Sequence, residues 1–66
     1  MLNTNMLKGK IIEKGKTISM LAGQLGINPS TFYRKMKNNS FTISETDSIA
    51  KALQLSLAEA NNIFFQ

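Results

Sequence analysis

A short run of hydroxyl, aromatic and cationic side chains near the middle of the chain has the chemistry needed to bind a hydrogen-bonding surface. Arg34 can donate two parallel hydrogen bonds to the edge of one guanine, and serine or threonine hydroxyls can donate to bases or accept from them. A helix that presents such side chains on one face can read base edges in the major groove of DNA. The residues predicted to read bases are Ser30, Thr31, Tyr33 and Arg34.

The helix that carries these side chains is predicted to begin near Pro29. Asn28 is a natural cap residue, and proline suits the first helical position because its missing N–H has no helical partner there. At about 100° per residue, Phe32 and Met36 share one face and Arg34 lies nearly opposite them. Phe32 and Met36 are therefore expected to be core residues.

Groups on either side of this helix are expected to hold phosphates, which set affinity and register rather than sequence choice. The N–H groups at the start of the preceding helix, beside Thr17, form a ready anion-binding site. Lys35 falls off the reading face and is expected to contact the DNA backbone or solvent, and Lys8 and Lys10 are expected to lie too far from the groove. The predicted phosphate-binding residues are Lys14, Lys16, Thr17, Lys37, Asn38 and Asn39.

The charge of the chain is unevenly distributed. Residues 1–37 carry seven cationic residues and one acidic residue, a net charge of +6, whereas residues 38–66 carry one cationic and three acidic residues, a net charge of −2. This asymmetry favours one half that faces a polyanion such as DNA and another half that is neutral or faces a partner. The alternative is that the lysines only keep a small domain in solution.

Length and composition exclude several classes of function. The 66 residues suffice for one domain, expected over 1–66, and 42% of them are hydrophobic, which makes an apolar core feasible. Histidine and cysteine are absent, which removes the commonest catalytic base, the commonest zinc ligands and disulfides, so neither an enzyme nor a metal or other cofactor is expected. No apolar stretch approaches the ~20 residues of a membrane span and no signal-peptide pattern is present, so a cytoplasmic location is expected.

Cap residues and apolar spacing predict an all-α fold of five short helices. The first is expected over about 4–14 and is expected to end at Gly15, in the left-handed conformation that glycine favours. The second is expected to start after Thr17 and to stop at Gly26. Inside it, the small side chain of Ala22 allows the third helix to pack closely, at the 90–120° crossing that is typical of a helix-turn-helix.

The second half of the chain is predicted to hold the fourth and fifth helices. A short extended piece, 41–43, precedes Ser44, which is expected to cap the fourth helix with Asp47 three residues later. Ser56 and Glu59 form a well-placed capping box for the fifth helix.

The end of the fifth helix is strongly apolar, with Ile63, Phe64 and Phe65 before Gln66. These three side chains cannot all face inward from one helix end. Either Ile63 and Phe64 pack on the first helix, or part of the tail forms a surface for a partner. Ile63, Phe64 and Phe65 are accordingly the candidate dimer surface, and a symmetric dimer would hold its two reading helices about 34 Å apart.

Residues 17–35, TISMLAGQLGINPSTFYRK, resemble the Cro/repressor-like (lambda repressor-like) helix-turn-helix family. The likeness lies in the pattern Leu-Ala-x-x-Leu-Gly-Ile, followed by the helix Ser-Thr-Phe-Tyr-Arg. Residues 49–56 also resemble the family's fourth and fifth helices, so the likeness covers nearly the whole chain. It implies a five-helix domain that binds double-stranded operator DNA, commonly as a two-fold homodimer.

The chain is especially similar to small regulators encoded in phage and prophage switch regions, which implies a role in the cytoplasm of a bacterial host. It departs from the family at Ile18, where many members carry a glutamine that helps to fix a phosphate, and at Met36, where many carry a glutamate. No C-terminal oligomerisation domain of the kind that full-length repressors add is expected, which favours a Cro-like protein or a modulator over a full repressor. The alternative function is an anti-repressor-like modulator that keeps the fold but binds another phage repressor.

Overall fold

The computed structural model describes residues 2–65, and these form five α-helices joined by short turns. The helices are α1 (Thr4–Glu13), α2 (Ile18–Leu25), α3 (Pro29–Asn38), α4 (Ile43–Ala52) and α5 (Leu57–Phe64). No strand occurs among the described residues, and the predicted all-α, five-helix class is confirmed. None of these helices is both long and apolar enough to cross a membrane.

The turns on either side of α2 are set by one cap and two glycines. The Thr17 hydroxyl oxygen accepts a hydrogen bond of 3.1 Å from a backbone N–H in the first turn of α2. Gly15 (φ 69°) adopts the predicted left-handed conformation after α1, and Gly26 (φ 73°), the predicted stop of α2, adopts it as well. The N–H of Ile27 then bonds to the carbonyl oxygen of Ala22 (3.0 Å), so α2 closes tightly and α3 follows within three residues.

The start of α4 differs from the sequence-based expectation, and Ser44 is not its cap. Thr42 is the cap: its hydroxyl accepts from the N–H of Glu45 (3.1 Å), and the Glu45 carboxylate accepts from the N–H of Thr42 (2.9 Å). Both registers place a hydroxyl three residues before an acid, but glutamate reaches back to the cap N–H more easily than the shorter Asp47. The helix therefore takes in Ile43, and the expected extended piece over 41–43 is shortened.

The fifth helix begins with the predicted capping box, which also links it to α1. The hydroxyl of Ser56 accepts from the N–H of Glu59 (3.1 Å), and the Glu59 carboxylate accepts from the N–H of Ser56 (2.8 Å). The same carboxylate meets the ammonium group of Lys10 at 2.6 Å, and Lys10 also reaches Glu13 at 3.1 Å. The Lys10 contact, with the Ser56 N–H second, lowers the pKa of Glu59 to about 2. Lys10 thus bridges α1 and α5.

The core collects apolar side chains from all five helices. Phe32 is fully buried and Met36 nearly so, in agreement with the sequence-based expectation, and Ala22 is fully buried on α2. Phe41, in the segment before α4, packs edge-on against Phe32 with 5.0 Å between ring centroids. The buried apolar residues are Leu7, Ile11, Leu21, Ala22, Phe32, Met36, Ile49, Leu53, Ile63 and Phe64.

The apolar end of α5 packs mostly inside the chain, which is one of the two alternatives that the sequence leaves open. Ile63 and Phe64 are buried in the chain's own core, so they are corrected from candidate dimer surface to core residues. The carbonyl oxygen of Ile63 accepts a hydrogen bond from the N–H of Asn3 (2.7 Å), which fixes the end of α5 beside the start of α1. Phe65 remains exposed, and Gln66 lies outside the described residues.

Enlarging Ala22 should separate α3 from α2. Because Ala22 is fully buried, we expect Ala22→Leu to lower the free energy of unfolding by about 1–3 kcal/mol through overpacking. Urea unfolding followed by circular dichroism measures the change. Gly23→Ala is the matched control, since the added methyl group meets no atom within 4 Å and should raise stability by about 0.5–1 kcal/mol. Equal stability of Ala22→Leu and the wild type would contradict the close approach of the two helices.

The link between Lys10 and Glu59 should appear in the pH dependence of stability. The pKa of Glu59 is lowered from 4.5 to about 2, so its ionised form stabilises the fold above about pH 4.5, and this contribution is lost as the pH falls towards 2. In urea unfolding across this range, Glu59→Gln should lose less stability than the wild type. Asp47→Asn, which removes a carboxylate from an exposed pair within α4, is the control and should follow the wild type. Parallel curves for the wild type and Glu59→Gln would refute the link.

Candidate nucleic-acid interface

The face of α3 opposite the core carries most of the predicted base-reading strip. Ser30 and Arg34 are exposed, and Tyr33 is 52% exposed. Thr31 is half-buried rather than fully presented, because it lies on the flank of the helix. The strip therefore offers one guanidinium group and two hydroxyl groups outward, with Thr31 at its covered edge.

The beginning of α3 leaves backbone donors at the same end as Ser30. Asn28 occupies the cap position with extended backbone (φ −73°, ψ 151°), but its side chain makes no capping hydrogen bond. Asn28 therefore occupies the cap position of α3, as expected, but its side chain does not cap the helix. The first N–H groups of a helix have no intrahelical partner, so this end of α3 can donate to an approaching acceptor.

Tyr33 faces the start of α2 and lines a shallow cleft with residues of α1 and the α1–α2 turn. Lys16 and Thr17, both predicted to bind phosphate, line this cleft with it. Lys8 lines the cleft as well, although it is expected from the sequence to lie too far away. The signal that points to Lys8 is its place beside Leu7 on α1, since a residue 100° from a buried position lies at the edge of the core.

The start of α2 combines a hydroxyl group and backbone donors at this cleft. The oxygen of Thr17 is occupied as an acceptor of the capping hydrogen bond, which leaves its hydrogen available to donate. The N–H groups of Ile18 and Ser19 precede the first intrahelical bond of α2, which runs from the N–H of Leu21 to Thr17. Positive partial charge at a helix N-terminus and two nearby lysines suit an anion.

The other predicted phosphate ligands lie apart from this cleft. Lys37 and Asn38 are exposed in the last turn of α3, and Asn39 follows in the left-handed conformation (φ 53°). Lys14 is half-buried at the end of α1 and does not line the cleft. The structure therefore brings Lys16 and Thr17 together with Tyr33, and leaves the remaining predicted ligands at the C-terminal ends of α3 and α1.

Lys35 is bound within the protein, which corrects the expectation that it contacts the DNA backbone or solvent. Its ammonium group meets both carboxylate oxygens of Glu45 on α4, at 2.8 and 2.9 Å, and both side chains are largely covered. The Lys35 ammonium, followed by the N–H of Thr42, holds the pKa of Glu45 below its usual value. Glu45 is thus shared between the capping box of α4 and the flank of α3.

Comparison with known proteins agrees with this geometry. The sequence profile of the Cro/C1-type HTH DNA-binding domain matches residues 6–66. Comparison with curated proteins gives no match, and comparison with solved structures gives none either. The matched segment includes the α2–turn–α3 unit, the exposed strip of α3 and the cationic cleft beside it. The chain belongs to the Cro/C1-type helix-turn-helix family of DNA-binding domains.

Proposed function

We propose that the chain is a sequence-specific transcriptional regulator that reads operator DNA in the major groove with α3. The observation that carries this proposal is the exposed strip of Ser30, Tyr33 and Arg34, which lies beside the cleft of Lys16 and Thr17. One helix thus presents base-reading side chains while the helix before it presents phosphate-binding groups. Helix-turn-helix proteins divide the two tasks in this way.

Arg34 has the role on which specificity depends most. It lies opposite the core side chains of α3, and its exposed guanidinium group can donate two hydrogen bonds to one guanine. Ser30, near the open N-terminus of α3, and Tyr33 supply hydroxyl groups for neighbouring bases. Thr31 is half-buried, so its contribution is limited to contact with a thymine methyl group or a phosphate at the edge of the groove.

Phosphates on the α2 side are held by the cleft that includes Lys16, Thr17 and Lys8. The DNA backbone beyond the other end of α3 is held by Lys37, Asn38 and Asn39. Lys14, at the end of α1, lies two residues before Lys16 in the sequence. Such contacts fix the register of the reading helix without choosing a sequence. Together with the resemblance to small phage and prophage regulators, this division favours an operator-binding protein in the cytoplasm of a bacterial host.

A second copy of the chain is proposed to dock on an apolar surface formed by α4 and α5. Ile43, Leu57 and Phe65 are 75%, 89% and 57% exposed and border one groove, which also contains the small side chains of Ala50 and Ala60. Protruding and recessed apolar groups thus share one surface. A two-fold axis can bring such a surface against its own copy.

The charges at this groove also favour a second copy as its occupant. Asp47 and Lys51 line it and pair with each other at 2.9 Å. In a two-fold arrangement each acid can face the other copy's lysine, so the rim is complementary to itself. The groove residues all come from α4, α5 and the segments at their ends, which leaves the strip on α3 available to DNA.

Replacing Arg34 should weaken sequence preference and leave the fold intact. We expect Arg34→Ala to lower affinity for a duplex selected from random sequences by roughly tenfold to a hundredfold, because one bidentate base contact contributes about 1–3 kcal/mol. Lys37→Ala is the matched control on the same helix and should weaken selected and random duplexes equally. Fluorescence anisotropy gives both affinities, and circular dichroism checks the fold.

Two results would count against operator reading. An Arg34→Ala protein that prefers the selected duplex as strongly as the wild type would refute the role of Arg34. Wild-type affinity for DNA that stays flat between low and moderate salt would refute the phosphate contacts. A flat response would favour the anti-repressor-like alternative, in which the protein binds another repressor.

Disrupting the α4–α5 surface should separate the two copies. Leu57 is 89% exposed, so Leu57→Asn should leave the fold unchanged while weakening self-association by at least about tenfold, which corresponds to about 1.4 kcal/mol. Ile12→Asn, at another exposed apolar residue outside the groove, is the control for the protein without DNA, since Ile12 lines the cationic cleft. Sedimentation velocity, with and without a selected duplex, measures the oligomeric state. A wild-type protein that is monomeric both alone and on DNA would overturn the dimer.

A further inference from the structure

We propose that Glu45 is a charge-masking residue: it holds the ammonium group of Lys35 against α4, so that Lys35 is excluded from the cations that contact DNA phosphates. This inference rests on the proposed function, and it concerns how many phosphate contacts the protein makes. It also identifies a residue outside the helix-turn-helix, on α4, that controls the electrostatics of the reading helix.

The geometry of the pair supports masking rather than a passing surface contact. Both carboxylate oxygens of Glu45 accept from Lys35, at 2.8 and 2.9 Å, and the two side chains are only 21% and 16% exposed. The carboxylate is further held by the N–H of Thr42 at 2.9 Å. An ammonium group fixed by a carboxylate that is itself fixed has little freedom to turn towards a phosphate.

The position of Lys35 on α3 explains why masking matters. Lys35 lies on the α4 flank of the helix, about 80° from the core direction, while Tyr33 lies at a similar angle on the opposite flank. Tyr33 is thus directed to the cationic cleft, and Lys35 is directed to Glu45. The two flanks of the reading helix therefore differ in charge: one adds cations near the DNA, and the other is neutralised.

Each charge of the pair offsets the effect that the other would have on DNA binding. Without Glu45, Lys35 would add a sequence-independent phosphate contact and raise affinity for any duplex. Without Lys35, the carboxylate that caps α4 would stand beside the phosphates and repel them. Paired, the carboxylate caps α4 and the flank of α3 stays electrically neutral.

The chain provides a control that matches Glu45 in almost every respect. Glu59 is also the third residue of a capping box and also binds a lysine, Lys10, but this pair joins α1 to α5. Glutamine can take the capping role of either glutamate. Glu45→Gln and Glu59→Gln therefore make the same change in net charge and in capping. They differ in which lysine loses this partner, and Lys10 keeps a second carboxylate, that of Glu13, at 3.1 Å.

The test measures how the affinity of the 66-residue chain for a mixed-sequence duplex depends on salt. A plot of log affinity against log salt steepens by about 0.9 for each added phosphate contact on B-DNA. We expect Glu45→Gln to steepen the plot by about 0.9, so that the gain in affinity from 200 to 50 mM salt becomes about 3.5-fold larger than in the wild type. Glu59→Gln should keep the wild-type slope. Circular dichroism confirms that each variant is folded at the temperature used.

A double variant tests the inference without releasing Lys35 from Glu45. Lys35→Gln with Glu45→Gln removes both charges and leaves net charge unchanged, so it should keep the wild-type slope. A slope shallower by about 0.9 would show that Lys35 contacts a phosphate despite Glu45 and would overturn the proposal. Equal slopes for Glu45→Gln and Glu59→Gln would overturn it as well. A flat plot for the wild type itself would instead refute the proposed DNA contacts.

Discussion

The packing of α3 against α2 is the constraint on which the rest of the structure depends. Phe32 and Met36 are buried, so the opposite side of α3 is turned outward and carries Arg34 with it. Ala22, which is fully buried, marks the small contact surface on α2. A larger side chain at this position would overpack the contact between α2 and α3. The placement of α3 on α2 is therefore sensitive to the size of one side chain.

Two glutamates fix the positions of the other helices, and both act in the same way. Glu45 caps α4 and binds Lys35 of α3, while Glu59 caps α5 and binds Lys10 of α1. Each carboxylate thus satisfies a helix end and joins two elements that are separate in sequence. In a domain of this size, where the apolar core alone supplies limited stability, such double use fixes helix orientation with few residues.

The sequence predicts the helix-turn-helix better than the second half of the chain because the signals near it are local. Gly26 and Pro29 mark a stop and a start, and Phe32 with Met36 defines a face by spacing alone. The start of α4 is harder to predict, since Thr42 and Ser44 each precede an acid by three residues and only the reach of glutamate distinguishes them.

Errors about the site follow from tertiary contacts that no local pattern contains. The partner of Lys35 is ten residues away, across a turn, and the two-residue error at the start of α4 hides the role of Glu45. Lys8 belongs to the cleft only because α1 packs beside the start of α2. Whether Ile63 is buried or exposed likewise depends on where α1 lies, which the spacing of apolar residues within α5 does not reveal. The base-reading and phosphate-binding roles of the individual residues stay predictions.

The hydrogen bond from Asn3 to Ile63 has a consequence for how the chain folds. It closes a loop of about 60 residues, nearly the full sequence, whereas the α2–turn–α3 unit closes locally. Loop-closure entropy grows with length, so the docking of α1 on α5 is the more costly ordering step. The helix-turn-helix can therefore assemble before the two ends of the chain meet, and the rate of folding is expected to depend on that last encounter.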